Sequence, residues 1–352
     1  MIWVLISIIL LLGVLLIVMA AHKCRRITVH HHQPVLILTN YNNDGGFFWQ
    51  LYNVLNHLCV CRQQGFAPVV LFHTGLYLEQ RPEFTQTMVV RDQHNWFNHF
   101  FHPVNETQQD DTFWIKYMKA NTVPTYRHNK DISPVMLFNK ATLNSIPRSV
   151  GLYTSMWHQN IQVLPHIQLK VDRFKAEQWK GAREIIGLHF RGTDKLPSAE
   201  SNEDDPLHVE YDFCYSLLKK HLAKDVVFFI ATDEQPFVDF LKEKNLPMTS
   251  TNSLRSSVNT SGLFTNVSTS MCTKGKAQNA VCQQFNDLID QSIHRGFPDA
   301  SKYTKGEDVL IDVLLLSNCT TFYRSRGNVS NFIGYINPAC TVVDMVSMYK
   351  KI

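Results

Sequence analysis

Residues 185–196 read IIGLHFRGTDKL, an apolar run that breaks abruptly into charged and polar side chains. The apolar part, 185–190, has the composition of a buried strand. In open α/β sheets, ligands bind beyond the carboxyl ends of the strands. The charges that follow position 190 are therefore the first place to look for a function.

Outward from this strand runs an α/β series. Before it, Ile167, Val171 and Phe174 lie three or four residues apart, and 165–180 reads as a helix. After it, 211–222 reads as an amphipathic helix, 226–231 as a strand and 236–244 as a short helix with proline in its first turn. Then come a helix at 307–316, a strand at 321–323, a helix at 329–336 and a last strand at 341–345. Residues 251–280 are rich in Ser, Thr and Asn and read as a surface insertion. Further upstream a second series opens with a strand at 35–39, a turn-rich loop at 40–46, a helix at 47–64 and a strand at 69–72. Residues 73–148 are irregular, and their pattern yields no topology.

The chain has 352 residues, enough for two domains. Hydrophobic residues make up 45% and charged residues 18%, a globular composition. The net charge of +4, without a long basic run beyond the N-terminal region, argues against a nucleic-acid partner. Residues 2–21 carry no charge, and Ser7 is their one polar side chain. As a helix this stretch spans roughly 30 Å, a bilayer core, and reads as a single transmembrane anchor. A cleaved signal would have a shorter apolar region behind a basic start. The expected organisation is an anchor at 1–21, a stem at 22–33, an N-terminal α/β domain at 34–164 and a C-terminal Rossmann-type domain at 165–352. His30, His31 and His32 in the stem lack nearby Cys or carboxylate partners and read as solvated.

Two signals disagree on orientation. Lys23, Arg25 and Arg26 follow the apolar segment, and the positive-inside rule then puts the body in the cytoplasm. Against this stand N-x-Ser/Thr sequons at Asn105, Asn259, Asn266, Asn318 and Asn328, and a Cys272–Cys282 pair able to close a loop in a lumen.

Three strand ends and one glycine pair carry the chemistry. After 185–190, Arg191 offers a bidentate fork for phosphate oxygens and Lys195 a second cation. Asp194 orients Arg191 or binds a hydroxyl; equally, an Arg191–Asp194 pair braces a loop. After 226–231, Asp233 and Glu234 suit ribose hydroxyls or base N–H groups, or else a residue here caps the next helix. Asp312 interrupts an apolar helix. Beyond 321–323, Arg324, Ser325, Arg326 and Gly327 precede a helix start, a combination suited to a diphosphate. Gly45 and Gly46 free the backbone to approach a ligand, or form a plain turn.

Taken in order, HFRGTDK (189–195), FFIATDE (228–234) and GEDVLIDVLLLSNC (306–319) with SRGNVSNF (325–332) resemble three motifs of a known superfamily. It comprises the GDP-fucose-using α1,6-fucosyltransferases, nodulation fucosyltransferases and protein O-fucosyltransferases. GGFFWQL (45–51) resembles its N-terminal glycine-rich segment. The likeness spans about 35–345 and is strongest over 181–335.

The resemblance implies a GT-B-like fold of two Rossmann-type domains facing a cleft. It implies an inverting fucosyltransferase that needs no metal or other cofactor, with GDP-fucose as donor and a glycan or protein hydroxyl as acceptor. The setting implied is a Golgi or ER membrane with a luminal body. By position, Arg191 matches the arginine on the donor phosphate, His189 a residue at the guanine and Asp312 the guanine-reading carboxylate. Asp233 falls in the ribose or base segment, and Ser330 and Asn331 at the phosphate-binding turn. The motifs depart from the α1,6 branch at Gly192, where that branch has a second arginine. They depart again at Glu200, offset by about a residue from the branch's catalytic base. Glu200, Asp194 and Asp44, in that order, are the candidate bases for deprotonating the acceptor. Two alternatives stay open: another nucleotide-sugar donor on the same fold, and a catalytically silent, membrane-tethered sugar-binding protein.

Overall fold

A computed structural model describes residues 35–39, 46–72, 77, 95–105, 135–137, 149–191, 209–257, 302–325 and 327–349. The expected anchor and stem, the Cys272–Cys282 pair and the sequons at Asn259 and Asn266 lie outside these residues. Among the described residues, no helix is long and apolar enough to cross a membrane.

The chain divides into two compact units. One ends at Val163 and the other begins at Leu164, with Asn42–Gln50 and Gly75–Glu79 grouped into the second.

The first unit holds a parallel sheet in the order β2-β1-β3, formed by β1 (Val35–Thr39), β2 (Ala67–Leu71) and β3 (Val135–Leu137). All five side chains of β2 are buried, as expected of a strand covered on both faces. The strand expected at 69–72 thus starts two residues earlier. Helix α1 (Phe47–Gln64) has the predicted bounds. Beyond β2, the Asn95 side chain receives the Phe72 N–H at 2.9 Å and donates to the Val70 carbonyl at 2.8 Å. It thereby seats an aromatic cluster of Phe72, Trp96, Phe97, Phe100 and Phe101 within a stretch whose sequence gave no topology. Helix α2 (Val150–Asn160), N-capped by Ser149, was not foreseen.

The second unit is built on a parallel sheet of five strands: β4 (Glu184–Phe190), β5 (Val226–Thr232), β6 (Met248–Thr249), β7 (Thr321–Arg324) and β8 (Thr341–Asp344). Their order is β6-β5-β4-β7-β8, which is 3-2-1-4-5 when counted within the unit. This is doubly wound connectivity. The chain winds outward from β4 through β5 to β6, then returns to β7 on the other side of β4. The reversal leaves a crevice at the carboxyl ends of β4 and β7, the usual seat of a ligand.

Helices α3 (Pro165–Gln178), α4 (Tyr211–Lys219), α5 (Gln235–Glu243), α6 (Lys302–Leu316), α7 (Asn328–Ile336) and α8 (Met345–Tyr349) complete it. One core binds β4 and β5 to α4 and α5, with Phe190 stacked on Phe237 at 4.4 Å between ring centres. Fully burying such a side chain stabilises the fold by about 1.5–3 kcal/mol. Gly187 in β4 has a steric reason. A Cβ there would lie 2.8 Å from Cys319 Sγ and 3.0 Å from Leu316 Cδ2, so only glycine lets the end of α6 rest on the strand. The described cysteines, Cys59, Cys61, Cys214, Cys319 and Cys340, are all buried and unpaired with one another, as small apolar residues.

Candidate active site

A cavity of about 510 Å³ opens in the second unit at the carboxyl ends of its strands. That volume suits a small-molecule ligand. Its lining comes from the ends of β4 and β5, one face of α6, the start of α7, and Gly46–Trp49 with Tyr77.

One part of the wall is cationic. Arg191 leaves β4 and faces the turn that enters α7. Gly327 lies in that turn with φ 149° and ψ 170°, a region open almost only to glycine. A Cβ on it would come within 3.5 Å of Arg191 Nη1. Gly327 also serves as N-cap of α7 and makes no side-chain cap bond, so the first backbone N–H groups of the helix keep their anion-binding capacity. Asn328, Val329 and Asn331 line the cavity from this end.

The turn is held from behind by His189. Its Nδ1 lies 3.0 Å from the Ser325 hydroxyl and 3.1 Å from that of Ser330. The buried imidazole thus ties β4 to the end of β7 and to α7. Arg324, a candidate cation in the sequence, is engaged elsewhere. It donates to Asp344 at 3.1 Å and to Asn331 at 3.3 Å, and does not line the cavity.

Another part of the wall is acidic. Lys305, Asp308, Val309 and Asp312 recur at helical spacing and present one face of α6 to the cavity. Asp312 is buried. It accepts from Thr251 Oγ1 at 2.6 Å and from Ser253 Oγ at 3.1 Å. Burial, only partly offset by these hydroxyls and by Arg255, lifts its carboxyl from an ordinary 3.8 to about 6. Asp308 accepts the Leu254 N–H at 3.1 Å and is also raised, chiefly by burial. Lys305 is lowered by burial first and by Lys302 second. Asp233 and Thr232 line the cavity from the end of β5, where Thr232 Oγ1 accepts the Glu234 N–H at 3.1 Å.

The structure therefore brings together Gly46, His189, Arg191, Asp233, Asp312 and Asn331 from the sequence reading. Ser330 lies in the first turn of α7. It is buried, and its hydroxyl serves His189 rather than the cavity. Capping is likewise not the task of Asp233: the N-cap of α5 is Glu234, without a side-chain cap bond. Gly45, Asp194, Lys195 and Glu200 lie outside the described residues, as do Asp44 and Arg326.

A correction concerns 251–257, read as the start of a surface insertion. The segment lies along α6, and its hydroxyls and backbone satisfy Asp312 and Asp308. Lys305, Asp308, Ser253, Tyr77 and Trp49 were missed as lining residues. A helix starting at 302 rather than 307 would have put 305, 308 and 312 on one face. Among the described residues no cluster of three or more His, Cys, Asp or Glu is placed to hold a metal ion.

No family model matches the chain, and no curated protein does. Solved structures match over most of its length. NodZ alpha-1,6-fucosyltransferase soaked with GDP-fucose shares 16% identity over 87% of this chain and 93% of its own, with a TM-score of 0.50. NodZ from Bradyrhizobium shares 15% over 90% and 96%, with a TM-score of 0.47. POFUT1 in complex with GDP shares 11% over 88% and 95%, with a TM-score of 0.43. At such identities the likeness is one of fold. The fold is like that of the NodZ alpha-1,6-fucosyltransferase structure.

Proposed function

We propose that the chain is an inverting, metal-independent fucosyltransferase that moves L-fucose from GDP-fucose to a glycan or protein hydroxyl. The observation that carries this reading is the cavity at the β4/β7 reversal. It offers a guanidinium and a helix N-terminus in one part of its wall, and carboxylates in another. A diphosphate needs the first. Guanine, whose N1–H and N2–H₂ are donors, needs the second. The NodZ structure soaked with GDP-fucose supports the choice of donor through its shared fold.

In this reading Arg191 and the first N–H groups of α7 meet the charge that builds on departing GDP. Asp312 accepts from the guanine edge, with Thr251 and Ser253 fixing its carboxylate. Asp233 takes a ribose hydroxyl. Glu200, Asp194 or Asp44 removes the acceptor proton. The two units form a GT-B-like pair, and residues 1–21 anchor the chain in a Golgi or ER membrane with the body in the lumen.

The test is transfer from labelled GDP-fucose by the detergent-solubilised chain, with a broad panel of glycan and protein acceptors and with EDTA present. Fucosylated product in EDTA supports the reading. Transfer from another nucleotide sugar in preference to GDP-fucose would shift it to a different donor, and GDP binding without turnover would make the chain a silent sugar-binding protein.

A luminal body restricts where glycans can sit. Asn105 is buried, and Asn328 lines the cavity. Asn318 Nδ2 donates to the Leu314 carbonyl at 2.7 Å, and its Oδ1 receives Lys175 at 2.7 Å. Endoglycosidase should therefore remove mass from Asn259 and Asn266 and not from Asn105 or Asn328. Unchanged mass, with a body open to protease in sealed vesicles, places it in the cytoplasm.

A further inference from the structure

Residues 251–256 form a strap between the end of β5 and the acidic face of α6. One end is tied to β5 and α5: the Ser256 N–H donates to the Asp233 carbonyl and the Gln235 N–H to the Ser256 carbonyl, both at 2.8 Å. Along its length, the Thr251 and Ser253 hydroxyls hold Asp312 and the Leu254 N–H holds Asp308. The one cation of the strap is Arg255, which is half-buried and does not line the cavity. Its Nη2 donates to the Thr251 carbonyl at 2.5 Å, and the Thr251 hydroxyl donates in turn to Asp312 at 2.6 Å. One residue thus links the guanidinium to the carboxylate. Arg255 Nε is buried and has no acceptor among the described residues. Native structures keep few orphaned donors, because each is costly. Departures of this kind concentrate at functional sites.

Arg255 interacts with carboxylates of two helices: Asp312 and Asp308 of α6 and Asp239 of α5. Burial pulls the guanidinium down from its usual range, and these three carboxylates hold it up. The effect on Asp312 has the opposite sign. Burial raises the Asp312 carboxyl and Asp308 adds to the rise, while Thr251, Arg255 and Ser253 oppose it. Lys305, Asp233 and Arg191 line the same cavity, but the positive charge acting on Asp312 is that of Arg255. We propose that Arg255 is a positioning residue for the base subsite. Bonded to Thr251, it sets a positive charge beside Asp312 and keeps that side chain an acceptor for the N–H donors of a nucleotide. The role rests on the nucleotide-binding reading above.

The test compares the wild-type chain with two neutral variants, Arg255→Gln and Arg255→Met, and with Arg255→Lys. GDP is titrated calorimetrically into each between pH 5.5 and 8.5. Wild-type affinity should fall below about pH 6, where Asp312 takes up a proton. In the neutral variants that midpoint should move up by about one pH unit, the shift expected on loss of a nearby opposite charge. Their affinity should then be roughly threefold below wild type at pH 6.5 and close to it at pH 8.5. Arg255→Lys keeps the charge and should keep the wild-type midpoint. In an Asp312→Asn background the neutral variants should add no pH dependence. Melting temperatures supply a readout without nucleotide. The gain of Asp312→Asn over wild type is complete once pH has risen through about 6. With Arg255 neutral, the same gain should be complete about one unit higher. The inference is overturned if neither midpoint moves. It is also overturned if the neutral variants lose GDP affinity equally at every pH or do not fold, because Arg255 then only braces the strap. A wild-type chain that binds no GDP sinks the fucosyltransferase reading, whereas the melting profiles still decide whether Arg255 acts on Asp312.

Discussion

The cationic and acidic parts of the cavity wall are made of different material. Around Arg191 the wall is mostly backbone geometry: the end of β4, the glycine turn at Gly327 and the uncapped start of α7. Around Asp312 it is side chains: one face of α6, satisfied by the hydroxyls of Thr251 and Ser253. A diphosphate changes charge during transfer and a base does not. The first region should therefore govern turnover, and the second affinity and choice of nucleotide.

The largest expected effect is at Arg191. Arg191→Ala should fold with an unchanged melting temperature and lose roughly 10²–10³ in turnover, as when one preorganised donor is removed. Arg191→Lys keeps the charge without the fork and should fall between the two. A lowered melting temperature restored by lysine would instead make Arg191 a brace for the loop after β4.

Asp312 should behave in the contrary way. Asp312→Asn should weaken GDP binding by roughly 10- to 100-fold, the range for a hydrogen bond to a charged group, with a smaller effect on turnover. Its pH dependence carries two opposite signs. Because burial raises the carboxyl to about 6, the folded state holds a proton that the unfolded state releases from about 3.8 upward. Asp312's contribution to stability is complete below that pH and is lost as pH rises through about 6. Asp312→Asn should thus gain on wild type in melting temperature between these two values. GDP affinity runs the other way, because the guanine donors need the ionised carboxylate, and it should fall below about pH 6 in wild type alone. Parallel pH profiles for stability and binding would remove Asp312 from the base subsite.

The smallest effect is expected at Gly327. Alanine at φ 149° costs about 1–3 kcal/mol of backbone strain. The melting temperature should drop by roughly 2–10 °C, with turnover reduced through Arg191 and GDP selectivity over UDP intact. Selectivity lost together with turnover would mean that the two regions do not act separately.

How much of this was legible in the sequence follows the same division. Strands β1, β4 and β5 are apolar runs with a polar stop, and β7 is a short TFYR strand between two helices, so they and the residues just past them were found from pattern alone. Arg191, Asp233 and the turn at Gly327 came with them. The acidic part of the wall was less legible because it depends on who bonds to whom. The polar segment at 251–257 looks like surface until Asp312 is seen to accept from it. Lys305 and Asp308 were hidden because α6 starts at Lys302, among polar residues with no apolar period. Ser330 shows the converse. Its place in a motif suggested the phosphate-binding turn, and its hydroxyl contact with His189 is invisible in sequence.

The central claim is that this cavity holds guanosine diphosphate with the base at Asp312 and the phosphates at Arg191. It is tested most directly by calorimetric titration of GDP, UDP, ADP and inorganic pyrophosphate into the wild-type chain and Asp312→Asn at pH 7.5. Wild type should bind GDP at least about tenfold more tightly than UDP or ADP, and in Asp312→Asn that preference should collapse while pyrophosphate binding is unchanged. Equal affinity of wild type for all three nucleotides, or a preference for GDP that survives Asp312→Asn, would contradict it.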